Sequence, residues 1–223
     1  MSKLGTLTIG QAPRADITPI LDDVLDTRLA RRHAGVLDGL SRAEIERDFA
    51  TEPGKPVLIT KLLDGSAVVI GRARTEAAAQ AKLAMLEAEG CSTILMLCTG
   101  HFASLTTEKA RLVEPDRILP PSVAALVQGA QLGIVVPLPE QISSEAGKWA
   151  PLGRAPIYAA ASPYGSGGIS VAEAVRDLAG RGAQVLLMDC MGFVERHRRE
   201  AGEAGLPVIL SNSLIAKLVS EIV

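Results

Sequence analysis

LMLCTGHF, residues 95–102, shares its pattern with LLMDCMGF, residues 186–193. In each stretch an apolar run ends at or next to a cysteine, Cys98 or Cys190, with a glycine two positions later and a phenylalanine just beyond. A short apolar run that is closed by small residues predicts a buried strand followed by a sharp turn. The chain is therefore expected to end two similar strands on a thiol.

Strand-like and helix-like segments alternate around these two runs. A hairpin is predicted over residues 57–71, with its turn at Asp64-Gly65. Capping boxes at Ser41–Glu44 and at Ser170–Glu173 predict two helix starts. The other predicted strands are LGTLTIG (4–10), LGIVV (132–136), PIYAAAS (156–162) and LPVILSN (206–212), and the other predicted helices cover residues 17–25, 74–89, 119–129, 140–149 and 213–223.

This alternation predicts right-handed βαβ units and parallel sheets with helices on both faces. No linker rich in Pro, Gly and Ser divides the chain, and the strand–cysteine pattern occurs once in each half. We therefore expect two similar lobes that face one another.

Composition limits the possible partners. The 223 residues are 48% apolar, carry 23 basic and 25 acidic side chains, and are only 3% aromatic. A nearly neutral chain with few aromatic residues does not favour nucleic acid or anionic lipid. The uncharged residues 118–139 contain four prolines, which favours a helix followed by a strand over a membrane span. No apolar signal core opens the sequence, and a small-molecule ligand in the cytoplasm is expected.

Three cysteines, with no CxxC pair, predict neither a disulfide framework nor a metal site. Ligands of open α/β sheets bind beyond the carboxyl ends of the strands, which is where Cys98 and Cys190 are predicted to lie. A single cysteine in this position would more often be a buried core residue. Two in matching contexts favour a function, whereas Cys91 lacks both the strand end and the glycine.

Two thiols that face each other suit one reaction particularly well. One thiolate removes a proton α to a carboxylate, and the opposite thiol returns a proton, without a cofactor. Because the carbon acid is weak, donors must stabilise the developing oxyanion.

Polar residues near the predicted strand ends are candidate ligands for such a substrate. Arg14 and Gln11 could bind a carboxylate or be solvated, and His101 could tune a thiol or lie at the surface. Asp189 is a helper base or, preferably, a hydrogen-bond acceptor; Ser211 and Asn212 are expected to cap the last helix, and residues 195–199 to form a solvated helix face. The candidate binding residues are Gln11, Arg14, Thr99, Gly100, His101, Ser162, Tyr164, Met191 and Gly192.

Four segments, LTIGQAPR, RILPP, MDCMGFVERHR and ILSNSLIAKL, resemble the AroM protein family. The two strand-end cysteines resemble those of the aspartate/glutamate/hydantoin racemase superfamily. The resemblance implies two pseudo-symmetric, Rossmann-like α/β/α lobes with parallel four-stranded sheets and an interlobe cleft. Residues 1–103 with 205–223 would form the lobe that carries Cys98, and residues 104–204 the lobe that carries Cys190.

The resemblance also implies that Cys98 and Cys190 are the paired catalytic thiols. The Cys-Asn-Thr and Cys-Thr-His patterns of glutamate racemases are absent, so glutamate and aspartate are not favoured as substrates. We expect a cofactor-independent racemase or isomerase acting on a small organic acid, with a homodimer as the expected assembly. The alternatives are a carboxylate-binding regulatory protein on the same fold and a decarboxylase or covalent isomerase that uses one cysteine.

Overall fold

The computed structural model describes residues 3–165 and 168–223. The strands are β1 (Lys3–Thr8), β2 (Ala30–Gly35), β3 (Val57–Lys61), β4 (Ala67–Gly71), β5 (Thr93–Leu97), β6 (Arg111–Val113), β7 (Leu132–Val136), β8 (Ile157–Ala160), β9 (Val185–Met188) and β10 (Val208–Leu210). The helices are α1 (Thr18–Asp22), α2 (Arg42–Asp48), α3 (Arg72–Ala88), α4 (Pro115–Val127), α5 (Pro139–Glu145), α6 (Val171–Gly180), α7 (Glu195–Gly202) and α8 (Ser211–Ser220), with a 3₁₀ helix at Ala146–Trp149.

The chain forms two compact units. The first contains the residues up to Glu114 together with Ala216–Val223, and the second is Pro115–Ile215. In the first unit a parallel sheet has the strand order β2-β1-β5-β6, and in the second unit the order is β8-β7-β9-β10. Two parallel four-stranded sheets confirm the predicted α/β fold class.

Both sheets share one connectivity. Counted along the chain within each sheet, the strand order is 2-1-3-4 in both units. In such a sheet the connections leave strands 1 and 3 in opposite directions, which opens a crevice at their carboxyl ends. Cys98 follows strand 3 of the first sheet directly, and Cys190 lies two residues beyond strand 3 of the second. The two cysteines therefore occupy equivalent positions in their own sheets.

Each sheet is buried against its own apolar core. All residues of β5 and of β7 are buried, as is typical of parallel strands that helices cover on both faces. In the first unit α3 contributes Leu83 and Leu86 to the core, and in the second unit α6 contributes Val175 and Leu178.

Local sequence signals set many of the element boundaries correctly. The hairpin β3–β4 is antiparallel, and Gly65 in its turn has a φ of +86°, a conformation that favours glycine. Both capping boxes form, at Ser41 and at Ser170. These predictions are confirmed.

Several predicted helices have different limits: the one predicted over residues 140–149 is α5 followed by the 3₁₀ helix, and the one predicted over residues 213–223 is Ser211–Ser220. Two further differences have a physical reason. The helix predicted over residues 17–25 is only Thr18–Asp22, because Asp22 and Asp23 place negative charge at the end where the helix dipole is also negative. The helix predicted to begin at residues 119–121 starts at Pro115 instead, so Pro120 and Pro121 lie inside it. Proline in the first position and Asp116 in the first turn favour the earlier start.

Among the described residues, no helix combines the length and hydropathy that a membrane span requires.

Candidate active site

The loop after β5 folds back onto the sulfur of Cys98. This side chain is 8% exposed, and its Sγ accepts a hydrogen bond from the backbone N–H of Gly100 at 3.4 Å. A Cβ at position 100 would lie 2.8 Å from Cδ2 of Leu58 in β3, which is too close for a side chain to fit without a shift. Glycine therefore lets the loop pass beneath the hairpin and reach the thiol.

The loop after β9 has the same local structure. Cys190 is partly exposed, and its Sγ accepts a hydrogen bond from the N–H of Gly192, also at 3.4 Å. A Cβ at position 192 would lie 2.3 Å from the Tyr164 hydroxyl oxygen. The Cys-x-Gly repeat in the sequence thus corresponds to one structural feature, a strand-end thiol that receives an N–H from the glycine two residues later.

An N–H donor favours the charged form of an acidic group, and the thiolate is the reactive form of cysteine. Both loops are therefore suited to a thiol that ionises during a reaction.

Two residues at the start of α8 hold the Cys190 loop in place. Ser211 Oγ donates to the carbonyl of Met188 at 2.8 Å. Asn212 Nδ2 donates to the carbonyls of Met191 at 2.9 Å and Phe193 at 2.6 Å. Both side chains are buried. Capping of α8 was the preferred role for these two residues and contact with the cleft the alternative; their side chains instead bind backbone carbonyls at the end of β9 and in the loop after it.

His197 stabilises the same loop from α7. Its ring meets that of Phe193 edge to face, with centroids 5.4 Å apart, and its Nδ1 accepts from the N–H of Val194 at 2.9 Å. Burial, reinforced by neighbouring Arg196, lowers the pKa of His197. Within residues 195–199, predicted to form a solvated face, this buried side chain is an exception.

A buried ion pair lies next to Cys190 in the chain. Lys148 Nζ is 2.7 and 3.0 Å from the two carboxylate oxygens of Asp189, and both side chains are less than 5% exposed. Lys148 also lies 5.0 Å from the centroid of the Trp149 ring. Burial, with the charges of Asp189 and Glu145, raises the pKa of Tyr158 to about 12. Asp189 is thus a hydrogen-bond acceptor, as preferred from the sequence.

In the first unit, Gln11 joins the loop after β1 to two other segments. Its Nε2 donates to the carbonyls of Leu37 and Leu40, and its Oε1 accepts from the N–H of Leu63 in the hairpin turn. These bonds hold the hairpin over the end of β1.

Arg14 is 5% exposed and forms an ion pair at the end of β1. Its Nε and Nη2 each donate to a carboxylate oxygen of Asp16 at 2.8 Å, and its Nη1 donates to Thr8 Oγ1 at 3.2 Å. Burial alone would raise the pKa of Asp16, but the bonded guanidinium brings that pKa below its usual value. A role for Arg14 in binding a substrate carboxylate would require exchange with Asp16, and it stays a prediction.

The remaining predicted residues flank the two cysteines. Thr99 is buried and His101 is exposed beside Cys98. Beside Cys190, Met191 is buried, and Tyr164 packs on Gly192 while its N–H binds Ser162 Oγ at 3.2 Å. The second unit thus brings its predicted residues together around Gly192.

Lys148 is the main site residue that the sequence did not suggest. It lies 41 positions before Asp189 in an ordinary helical segment, and its only signal was an isolated cation beside a tryptophan. Residues 166 and 167, which follow Ser162 and Tyr164 in the sequence, lie outside the described residues. Across residues 3–165 and 168–223 there is no group of three or more His, Cys, Asp or Glu side chains that could hold a metal ion.

We compared the chain with known proteins in sequence and in structure. The family described as AroM protein matches residues 4–223. No curated protein matches the chain in sequence.

Solved structures share its fold at low identity. Allantoin racemase from Klebsiella pneumoniae superposes with a TM-score of 0.58 and 13% identity, over 100% of this chain and 87% of that one. Aspartate racemase from Picrophilus torridus gives 0.56 and 13%, over 99% and 94%. Arylmalonate decarboxylase gives 0.50 and 14%, over 97% and 90%. At these identities the likeness establishes the fold.

Proposed function

Since the chain belongs to the AroM protein family, we propose that it is a racemase-like enzyme in which Cys98 and Cys190 are the two bases. The reaction is proton transfer at the carbon α to the carboxylate of a small organic acid, without a cofactor. The observation that carries this proposal is the repeated site: the third strand of each sheet leads to a cysteine whose sulfur accepts an N–H from the glycine two residues later.

In the proposed mechanism, one thiolate removes the α proton, and the electron pair of the C–H bond moves into an enolate of the carboxylate. The other thiol then protonates the opposite face of the planar carbon, and the configuration is inverted. Each sulfur must approach that carbon to about 3–3.5 Å. Backbone N–H groups of the two loops are candidate donors to the enolate oxygens.

The structural relatives support this class of chemistry. Two of them are racemases and one is a decarboxylase. Racemisation and the decarboxylation of a malonate both pass through a carbanion-like carbon that must be protonated. We propose a small carboxylate as the substrate, without nucleic acid or membrane partners, a cytoplasmic location, and a homo-oligomer, first of all a dimer.

Unequal exposure of the two thiols favours one alternative. Cys98 is buried, whereas Cys190 is partly exposed. If only Cys190 exchanges protons with the substrate, the protein is a decarboxylase or isomerase that uses one cysteine. A protein that binds carboxylates without turnover is the other possible outcome.

The test begins with a thermal-shift screen of mono- and dicarboxylic acids, followed by NMR of deuterium incorporation at the α carbon of each hit in D₂O. The two-base proposal expects exchange in the wild type that is lost in both Cys98→Ala and Cys190→Ala. Cys91→Ala, the matched control, should exchange normally. Loss in Cys190→Ala alone supports the one-cysteine enzyme, and binding without exchange in the wild type supports the binding protein.

A further inference from the structure

The Lys148–Asp189 pair has no part in the proton transfer described above, although Asp189 directly precedes Cys190. The carboxylate is almost completely buried, where charges are weakly screened by solvent. A buried carboxylate on the residue next to a thiol disfavours the thiolate, because like charges repel and solvent screens them weakly there. By itself Asp189 would therefore work against a base at position 190.

Lys148 supplies the opposite charge at this point. Its Nζ contacts both carboxylate oxygens, at 2.7 and 3.0 Å, and is equally buried. The peptide N–H of Asp189 donates to the carbonyl of Val135 in β7, so the backbone that carries the carboxylate is fixed to the sheet. The ion pair and Cys190 are thus attached to one rigid strand end.

We propose that Lys148 is a positioning residue for Cys190: it holds and neutralises the Asp189 carboxylate, so that the neighbouring thiol can ionise. The inference rests on the proposed role of Cys190 as a base. Its test measures ionisation of the thiol and not turnover, so its failure and the failure of the proposed function are distinguishable.

Other ionisable groups of the second unit do not replace Lys148. The titratable and charged side chains that the described contacts place near the ion pair and the Cys190 loop are Lys148, Asp189, Glu145, Tyr158, Tyr164, Arg196 and His197. Arg196 lies against the His197 ring and donates to the carbonyl of Pro163. At pH 7.5 Tyr158 is neutral, because its pKa is about 12. His197 is neutral as well, because burial lowers its pKa. Within this set, Lys148 is the cation that faces Asp189.

The test follows the alkylation of each cysteine by iodoacetamide between pH 6 and pH 10, with peptide mass spectrometry. Cys98 is the internal reference. Because Cys91 lies in the first unit, limited proteolysis reports whether the second unit stays folded. Lys148→Gln keeps a hydrogen-bond donor for Asp189 but removes the positive charge. It should slow alkylation of Cys190 at pH 7.5 about tenfold, which is the effect of raising the pKa of the thiol by one unit. Asp189→Asn should speed it, the double variant should return towards the wild-type rate, and Lys148→Arg should retain that rate.

An electrostatic role changes the alkylation rate of Cys190 in opposite directions in Lys148→Gln and Asp189→Asn. General loosening of the structure would change that rate in the same direction in both variants. The proposal is overturned if Lys148→Gln and Asp189→Asn shift the rate in the same direction, or if both leave it unchanged while the second unit resists proteolysis. Breaking a buried ion pair can be strongly destabilising. If Lys148→Gln unfolds the second unit, Asp189→Asn decides alone, and an unchanged or slower rate at Cys190 in that variant overturns the proposal.

Discussion

Gly192 is the residue at which the packing of the Cys190 loop leaves no free space. A Cβ there would lie 2.3 Å from the Tyr164 hydroxyl, so Gly192→Ala must displace the tyrosine or the loop. Overpacking of this kind costs about 1–3 kcal/mol, and we expect that loss in the free energy of unfolding measured with urea. Gly180→Ala in α6 is the matched control, because a Cβ there meets nothing within 4 Å.

Tyr164→Ala should remove most of this cost, because it deletes the side chain that occupies the space. The Gly192→Ala change is therefore made in both backgrounds, wild type and Tyr164→Ala. An equal loss of stability in the two backgrounds would contradict the packing argument.

His197 gives the protein a pH-dependent component of stability. Burial lowers the pKa of the folded-state imidazole, so the unfolded chain, with an ordinary pKa of about 6.5, binds the proton first as pH falls. The stabilisation is present above about pH 6.5 and is lost as pH falls through that value towards the folded pKa. Against His197→Phe, the wild type should lose more stability between pH 8 and pH 5.5 in denaturant titrations; parallel losses would show that the ring does not titrate on unfolding.

At the scale of elements, α8 determines the shape of the Cys190 loop. Asn212→Ala removes the donors to the carbonyls of Met191 and Phe193, and Gly192 N–H then loses its alignment with the sulfur. We expect alkylation of Cys190 at pH 7.5 to fall several-fold relative to Cys98 in the same molecule, a ratio that peptide mass spectrometry measures. Lys217→Ala, at an exposed position of the same helix, is the control. An unchanged ratio in folded Asn212→Ala would refute this role.

Elements with local signals were predictable, whereas those that depend on distant contacts were not. The hairpin turn, both capping boxes and the buried strands β5, β7 and β9 have patterns of their own. The edge strand β2 was missed, because ARRHAG is polar and pairs with β1 only in the folded sheet. The edge strand β6 was missed because its three residues are too few to show a strand pattern. Asn212 was expected to be a cap, because an Asn at a helix start usually bonds to nearby backbone. Its observed partners lie about twenty residues away in the loop after β9, and no local pattern indicates such a contact.

At the scale of the whole molecule, one connectivity occurs twice. The repeated strand–cysteine pattern in the sequence predicted two similar lobes. The structure adds that the complete sheets of the two units share the strand order 2-1-3-4. The proposed lobe limits, residues 1–103 with 205–223 and residues 104–204, stay a prediction. The repeat does not extend to the side chains beside the thiols, because the residues that follow the cysteines differ between the two loops: Thr99 and His101 in one, Met191 and Phe193 in the other.

The central claim is that both thiols serve one carbon atom, and bridging them with 1,4-dibromo-2,3-butanedione tests it most directly. Sulfurs that flank one carbon on opposite faces at about 3–3.5 Å each are about 6–7 Å apart, which a four-carbon bridge can span. Mass spectrometry of the intact and digested protein should find one intramolecular link between Cys98 and Cys190. The link should be absent in Cys98→Ala and Cys190→Ala and unaffected in Cys91→Ala. Separate modification of the two cysteines, with no bridged product in the folded wild type, would contradict the account.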